Sequence, residues 1–290
     1  MGRGYWDTTT ATKYINTAYT TATSTVRSFA DLSALNVQEI YKADHLDPML
    51  NPKNIIREAR ESEDHPTIYP IILGLDVTGS MSHSLVMCAS KLDEIMSELY
   101  KKIEGVQFCM VGIGDFLYDS APFQCTQFES DIRILDQSCK IYQERGGGGN
   151  NVESYTAAWY FGLHHTDLDC WKHGEKGLII TIGDEGCPSY LPRNRVNEVF
   201  GDSIETDVET NKLYQEALEK FDIYHIAITN NSSYDYHKKI IEKTWRPLLG
   251  EHFLCAESDE LPQIISQIVD DRQRVFNTTG IKVTNEGISW

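Results

Sequence analysis

The run Tyr69-Pro-Ile-Ile-Leu-Gly-Leu-Asp76-Val-Thr78-Gly-Ser80-Met-Ser82 constrains this chain more than any other stretch. Its first part is almost continuously apolar, the pattern of a strand buried on both faces inside a parallel sheet. It stops at a carboxylate, and a Thr and a Ser hydroxyl follow at two-residue spacing. That spacing can aim Asp76, Thr78 and Ser80 at one point. Three hard oxygen donors converging from one loop suit a small hard cation such as Mg²⁺. The leading expectation is a divalent-ion site at the C-terminal end of a parallel strand.

The chain around this run alternates strand and helix patterns. Thr67 to Asp76 reads as a strand. Ser82 to Ile103 reads as a helix with Leu85, Cys88, Leu92, Ile95, Met96 and Leu99 on one face. Val106 to Ile113 is a second strand, closed by Gly112-Ile-Gly114-Asp115. Pro122 to Tyr142 holds a short edge strand and a helix. A glycine run, 146–149, precedes a helix from Val152 to His165. Gly177 to Gly183 is another buried strand, closed by Asp184. Further on come a helix over Thr206 to Phe221 capped by Asp207, a strand over Asp222 to Thr229, and a helix over Tyr234 to Leu249 broken near Pro247. A strand over His252 to Ala256 and a helix over Glu260 to Phe276 complete the pattern. Strands separated by helices imply an α/β fold: a doubly wound, mostly parallel, Rossmann-like sheet with helices on both faces. Ligands of such sheets bind beyond the carboxyl ends of the strands, and Asp76, Asp115 and Asp184 each fall just past a strand. The chain divides into an N-terminal Thr-rich extension and connector (1–66), the α/β domain (67–276) and a tail (277–290). Thr8 to Thr25 is either a helix covering one side of the domain or a partner-binding arm. Asp44 to Pro66 is a connector with a short helix near Ile55 to Glu61.

Bulk properties narrow the function. The chain has 290 residues, 41% of them hydrophobic, and a formal net charge of −17. Nucleic-acid binding wants a basic stripe, and the sequence offers only pairs such as Lys101-Lys102. The acidity favours solubility, cation binding and basic protein partners. No apolar run approaches the ~20 residues that span a bilayer, so no membrane role is expected. Met1-Gly-Arg-Gly-Tyr-Trp lacks the apolar core of a secretory signal, and Trp6 stands where a myristoylation pattern wants Ser or Thr. Seven scattered cysteines, an odd number, read as reduced core thiols. The expected compartment is the cytoplasm.

Together these residues resemble the von Willebrand factor A family, in its intracellular, bacterial or phage-like branch. The resemblance rests on Asp76-Val-Thr78-Gly-Ser80 as the first loop of a metal-ion-dependent adhesion site and on Asp184, after a buried strand, as the third. The second loop falls on Gly146-Gly-Gly-Gly-Asn150-Asn151-Val-Glu153. If Glu153 matches the glutamate that opens the next helix in intracellular members, Asn150 takes the ligand position; Asn151 is the competing choice. The resemblance covers roughly residues 67–276. It implies a site of Asp76, Thr78, Ser80, Asn150 and Asp184 holding Mg²⁺ (or Mn²⁺ or Ca²⁺), directly or through water, with Asp115 in the outer shell. In that family a partner protein completes the coordination with an Asp or Glu carboxylate. It implies an adaptor in an intracellular complex, beside a ring-forming AAA+ ATPase in many members.

Other readings of the same residues stay open. Asp76-Val-Thr-Gly-Ser is also a serviceable helix N-terminus. The glycine run is either a flexible loop or an amide cradle for phosphate, but no Gly-x-x-x-x-Gly-Lys-Ser/Thr loop accompanies it. His164, His165, Asp167, Asp169, Cys170 and His173 form a cluster without complete zinc spacing. A metal-assisted hydrolase would use the same rim with Asp115 or Glu185 as base. A structural protein with a vestigial ion site is the third class. Reactivity of Cys187 would need exposure and a nearby cation.

Overall fold

The computed structural model describes residues 5–22, 24–144 and 150–279. The glycine run and residues 280–290 of the expected tail lie outside these. A six-stranded sheet forms the centre. Its strands are β1 (Tyr69–Asp76), β2 (Val106–Ile113), β3 (Phe123–Cys125), β4 (Gly177–Gly183), β5 (Phe221–Ile228) and β6 (Phe253–Ala256). The order across the sheet is β6-β5-β4-β1-β2-β3. All neighbours are parallel except β3, which runs antiparallel to β2 at one edge. The expected doubly wound, mostly parallel architecture is the observed one.

The strands read as continuous apolar runs because both faces are covered. Along β1, Ile71, Leu73 and Leu75 enter one core and Ile72 enters the other; β4 divides Leu178, Ile180 and Ile182 from Ile179 in the same way. Helices do the covering, among them α1 (Thr8–Tyr19), α2 (Ser82–Lys102), α3 (Ala157–His164), α4 (Ser232–Leu249) and α5 (Leu261–Thr279). On the first face α2 presents Leu85, Leu92, Met96 and Leu99 to Leu261, Ile265 and Ile268 of α5. On the second, Trp159 of α3 and Trp245 of α4 meet edge to face at 6.2 Å.

The N-terminal segment takes the covering role. Asp7 caps α1 by accepting from the Thr10 amide at 2.8 Å. Ala11, Ile15 and Tyr19, four residues apart and buried, join the core around α2. Trp6 adds an Nε1–H bond to Asp93 at 2.7 Å.

Several sequence expectations are corrected. The stretch expected as a helix near Ile55 to Glu61 is a strand, Arg57–Ala59, pairing parallel with Thr166–Leu168. Partner strands outweigh weak local propensity there. The helix expected from Val152 starts at Ala157, because Val152 bridges to Gly186 and holds the preceding residues extended. The helix expected over Thr206 to Phe221 is confined to Thr210–Ala217, and Asp207 accepts instead from the Arg193 amide at 2.9 Å, at the start of the helix Arg193–Phe200. Pro247 does not break α4, which runs on to Leu249. The lost hydrogen bond is outweighed by burial of Trp245 and Leu249 on one face.

Candidate functional site

The sheet order places a crevice at the ends of β1 and β4. From β1 the chain winds outward to β2 and β3, then returns to β4 on the other side, so the loops after β1 and β4 diverge. Asp76 ends β1 and Asp184 follows β4 directly. Both are fully buried.

The two loops meet through the expected hydroxyls. Thr78 donates its amide to Asp76 Oδ1 at 2.9 Å and its hydroxyl to the same oxygen at 2.6 Å. Ser80 Oγ lies 3.3 Å from Thr78 Oγ1 and donates to Asp184 Oδ1 at 3.2 Å. Asp76, Thr78, Ser80 and Asp184 therefore form one cluster across 104 residues of sequence.

Three neighbours join the cluster, and for two of them, Tyr155 and Asn231, the tertiary structure is the only source. Tyr155, buried against the stacked rings of His225 and Trp245, donates its hydroxyl to Asp76 Oδ2 at 2.6 Å and accepts from the Glu185 amide at 3.2 Å. Gly183 permits this approach, since a Cβ there would overlap the tyrosine hydroxyl. Asn231 donates Nδ2 to Asp184 Oδ2 at 2.9 Å while its Oδ1 caps α4 through the Tyr234 amide at 2.8 Å. An Asn ahead of a helix signals a cap, but nothing local signals the second contact. Glu153 is the third. It is buried, and its Oε2 has no hydrogen-bond partner.

Asn150 and Asp115 stand one step out from the cluster. Asn150 Nδ2 donates to Asp115 Oδ2 at 2.7 Å, leaving Asn150 Oδ1 as the atom available to an ion. Asp115 Oδ1 accepts from the Leu117 amide at 2.7 Å. Asn151 has φ 59°, a left-handed conformation Asn tolerates, and its carbonyl accepts from the Gly186 amide at 3.3 Å. Glu185 Oε1 accepts from Ser233 at 2.8 Å and meets His237 Nδ1 at 2.7 Å. Cys187 is buried, and burial holds its thiol well above the ordinary range, so it presents no thiolate.

The electrostatics are one-sided. Burial, and then the charge of Asp184, push Asp76 up to about 8. Burial likewise raises Asp184. Glu153 is pushed up to about 11, first by burial and then by Asp76, Asp115, Asp119 and Glu185. Among the described residues no lysine or arginine pairs with Asp76, Asp184 or Glu153. Among the described residues no group of three or more His, Cys, Asp or Glu side chains is arranged to hold an ion. The donor set at the crevice has a different make-up, two carboxylates and two hydroxyls. Oxygen-only donors, an uncompensated buried charge and the orphaned Glu153 Oε2 together fit a hard divalent cation.

No family model and no curated protein matches this chain. Solved structures do. Two structures of the pilus adhesin SpaC from Lactobacillus rhamnosus GG, one in an open conformation, are similar over 77% of this chain at 12% identity, with TM-scores of 0.50 and 0.51. The chain spans 31% and 32% of the length of those two chains. The vWF domain of the type V pili tip protein Mfa5 from Porphyromonas gingivalis has a TM-score of 0.46 at 11% identity, over 72% of this chain and 96% of that one. At such identities the likeness to the two adhesin structures concerns the fold alone, a mostly parallel α/β sheet flanked by helices.

Proposed function

We propose that the chain is a cation-dependent protein-binding module. Asp76, Thr78, Ser80 and Asp184 would hold Mg²⁺, with Mn²⁺ or Ca²⁺ as substitutes, and Asn150 Oδ1 would complete the protein's share. The observation that carries this reading is the pair of buried aspartates bridged by two hydroxyls, with no lysine or arginine among the described residues paired to either. When bound, the ion supplies the positive charge that this pocket lacks and an open position for one further oxygen ligand.

The residues divide the work. Tyr155 and the Thr78 amide and hydroxyl occupy both oxygens of Asp76. Asp76 therefore acts from behind, orienting the Thr78 hydroxyl so that its oxygen lone pairs face the crevice. Ser80 and Asp184 close the opposite side, with Asn231 fixing the carboxylate plane. Two carboxylates in contact would nearly neutralise a divalent ion, whereas with Asp76 held behind Thr78 the one that remains leaves it net positive, and only partly desolvated water competes for the last position. An Asp or Glu from a partner is the ligand with most to gain there. The setting we propose is an intracellular complex in which the chain is an adaptor, with an AAA+ ATPase as a candidate partner class. Among the described residues no helix is long and apolar enough to cross a membrane.

The hydrolase reading finds less support. Asp115 spends both oxygens on Leu117 and Asn150, and Glu185 spends Oε1 on Ser233 and His237 while its unpartnered Oε2 is buried. A general base wants a free lone pair within reach of a reacting proton.

The test is capture from host extract with wild type and Asp76→Ala, each in Mg²⁺ and in chelator. A protein retained only by wild type in Mg²⁺ is the expected result. Identical captures in all four conditions would sink the reading. Metal-dependent hydrolysis of phosphoesters or peptides, lost in Asp76→Ala, would replace it with the enzyme.

A further inference from the structure

The loop after β4 is gripped from one helix. Asp184 Oδ2 accepts from Asn231 Nδ2 at 2.9 Å, and Glu185 Oε1 accepts from Ser233 Oγ at 2.8 Å and meets His237 Nδ1 at 2.7 Å. The Glu185 carbonyl accepts from Trp245 Nε1 at 3.1 Å, and the Cys187 amide donates to Thr244 Oγ1 at 3.0 Å. Asn231 caps α4 and the other four side chains lie within it, while Ile241, Trp245 and Leu249 bury the same helix against the sheet. A loop held at so many points has little freedom of its own.

Tyr155 extends this grip to the loop after β1. Its hydroxyl accepts from the Glu185 amide at 3.2 Å and donates to Asp76 Oδ2 at 2.6 Å. The Glu185 peptide is thus held on both sides, its N–H by Tyr155 and its C=O by Trp245, and the two rings pack at 5.7 Å between centroids. Trp245 in turn lies flat on His225 of β5 at 3.8 Å, and His225 Nδ1 is 2.8 Å from Thr181 Oγ1 of β4. Tyr155, Trp245, His225 and Thr181 are all fully buried. The one hydroxyl that joins the two loops is therefore itself fixed by packing.

This arrangement engages every carboxylate oxygen at the crevice. Asp76 Oδ1 accepts from Thr78 and Oδ2 from Tyr155; Asp184 Oδ1 accepts from Ser80 and Oδ2 from Asn231. Divalent ions differ in what they ask of such a site. Ca²⁺ gathers about six to eight oxygens in flexible geometry, often both oxygens of one carboxylate, whereas the smaller Mg²⁺ takes about six at short distance and keeps several waters. Turning a second oxygen of Asp76 toward an ion breaks a buried hydrogen bond. Widening the gap between the loops meets the resistance of Tyr155 and of the rings behind it.

We propose that Tyr155 is a positioning residue that makes the crevice selective for Mg²⁺ over Ca²⁺, by locking the Asp76 and Asp184 loops together and withholding Asp76 Oδ2. This rests on the ion-dependent reading above and names what sets the choice of ion.

The test is Tyr155→Phe in the full chain, which keeps a ring packed on His225 and Trp245 and removes only the hydroxyl. Trp245→Phe, which releases the Glu185 carbonyl from the other side, is the second variant. Tyr100→Phe is the control: it removes a hydroxyl that donates to the carbonyls of Val106, at 3.0 Å, and Ser130, at the start of β2 and away from the crevice. Titration calorimetry gives the Mg²⁺ and Ca²⁺ affinities, and nuclear magnetic resonance in chelator gives the hydrogen exchange of the Glu185 amide. Wild type is expected to bind Mg²⁺ more tightly than Ca²⁺. Tyr155→Phe is expected to lower the Mg²⁺-to-Ca²⁺ affinity ratio about tenfold and to speed exchange at Glu185, Trp245→Phe to shift the ratio in the same sense, and Tyr100→Phe to change neither. A ratio that favours Ca²⁺ in wild type, that stays put in both crevice variants, or that shifts equally in Tyr100→Phe would overturn the proposal and leave the ion-dependent reading standing. So would unchanged exchange at Glu185 in Tyr155→Phe. Wild type binding neither ion would overturn the ion-dependent reading and the proposal with it.

Discussion

Two buried aspartates at opposite ends of this sheet meet opposite fates. Asp169 lies ahead of β4, at the end away from the crevice. It accepts from Arg60 Nη1 at 2.9 Å and from the Glu61 amide at 3.1 Å, and it pairs with Lys172 at 2.7 Å. Burial alone would raise its pKa, but Lys172, the Glu61 amide and Arg60 together bring it down to about 2. Asp76, at the crevice end of β1, receives only neutral donors, and burial with the charge of Asp184 pushes it up to about 8. A carboxylate kept for stability is given cations by its own chain. A pair of carboxylates left without them weighs against folding, and such an arrangement points to a site that draws its cation from outside.

The largest effect expected from this contrast is on ion binding. Asp184→Ala should weaken Mg²⁺ binding, measured by titration calorimetry, by about 100-fold or more, with the far-ultraviolet circular dichroism unchanged. Unaltered Mg²⁺ affinity would remove the crevice from the argument. Next comes stability at the opposite end. Arg60→Ala should lower the free energy of unfolding by roughly 1–3 kcal/mol, a range kept modest because Arg60 is partly exposed, and leave Mg²⁺ affinity untouched. A change in ion affinity there would show that the two ends are coupled and break the comparison.

Asp76→Asn should act in the opposite sense to Arg60→Ala. In chelator it removes a buried charge and should raise the melting temperature by a few degrees, at roughly 2–4 °C per kcal/mol; in Mg²⁺ the gain should vanish. A lower melting temperature in chelator would mean that Asp76 holds the loop by its charge. The smallest effect is on pH dependence. An acid whose folded pKa is raised contributes stability below its unfolded value of 3.8, lost as pH rises through about 8. In chelator the melting temperature should therefore climb as pH falls from 8 to 5, and Mg²⁺ should flatten the trend. Asp169 contributes the reverse, since stability from its depressed pKa is lost only as pH falls from 3.8 toward 2. Scanning calorimetry across both windows separates the two ends, and a flat profile in chelator would count against the raised Asp76.

Much of the sheet could be read directly. β2 and β4 carry long apolar runs bounded by glycine or aspartate, so both ends are marked in the residues themselves, and the structure begins and ends them where the sequence does. The stretch around Arg57–Ala59 could not be read this way. It is a strand only because Thr166–Leu168 lies beside it, more than a hundred residues away. Asp207 could be recognised as a cap, but not as the cap of the earlier helix Arg193–Phe200, because that choice depends on how two short segments pack. At the crevice, Asp76, Thr78 and Ser80 share one loop and their convergence follows from spacing. Tyr155 and Asn231 sit on separate segments and show no pattern of their own, and Glu153, legible only as part of the second loop, shows no sign of its burial beside Asp76.

The sequence by itself determined which residues end each central strand and that hard oxygen donors stand there, because strand period and loop spacing are local properties of the backbone. Only the tertiary structure decided that Tyr155 holds Asp76, that Asn231 holds Asp184 and that no lysine or arginine among the described residues pairs with either. Those facts depend on which loops the sheet order β6-β5-β4-β1-β2-β3 brings together. Burial, which gives an unpaired carboxylate its energetic weight, exists only once both faces of the sheet are covered.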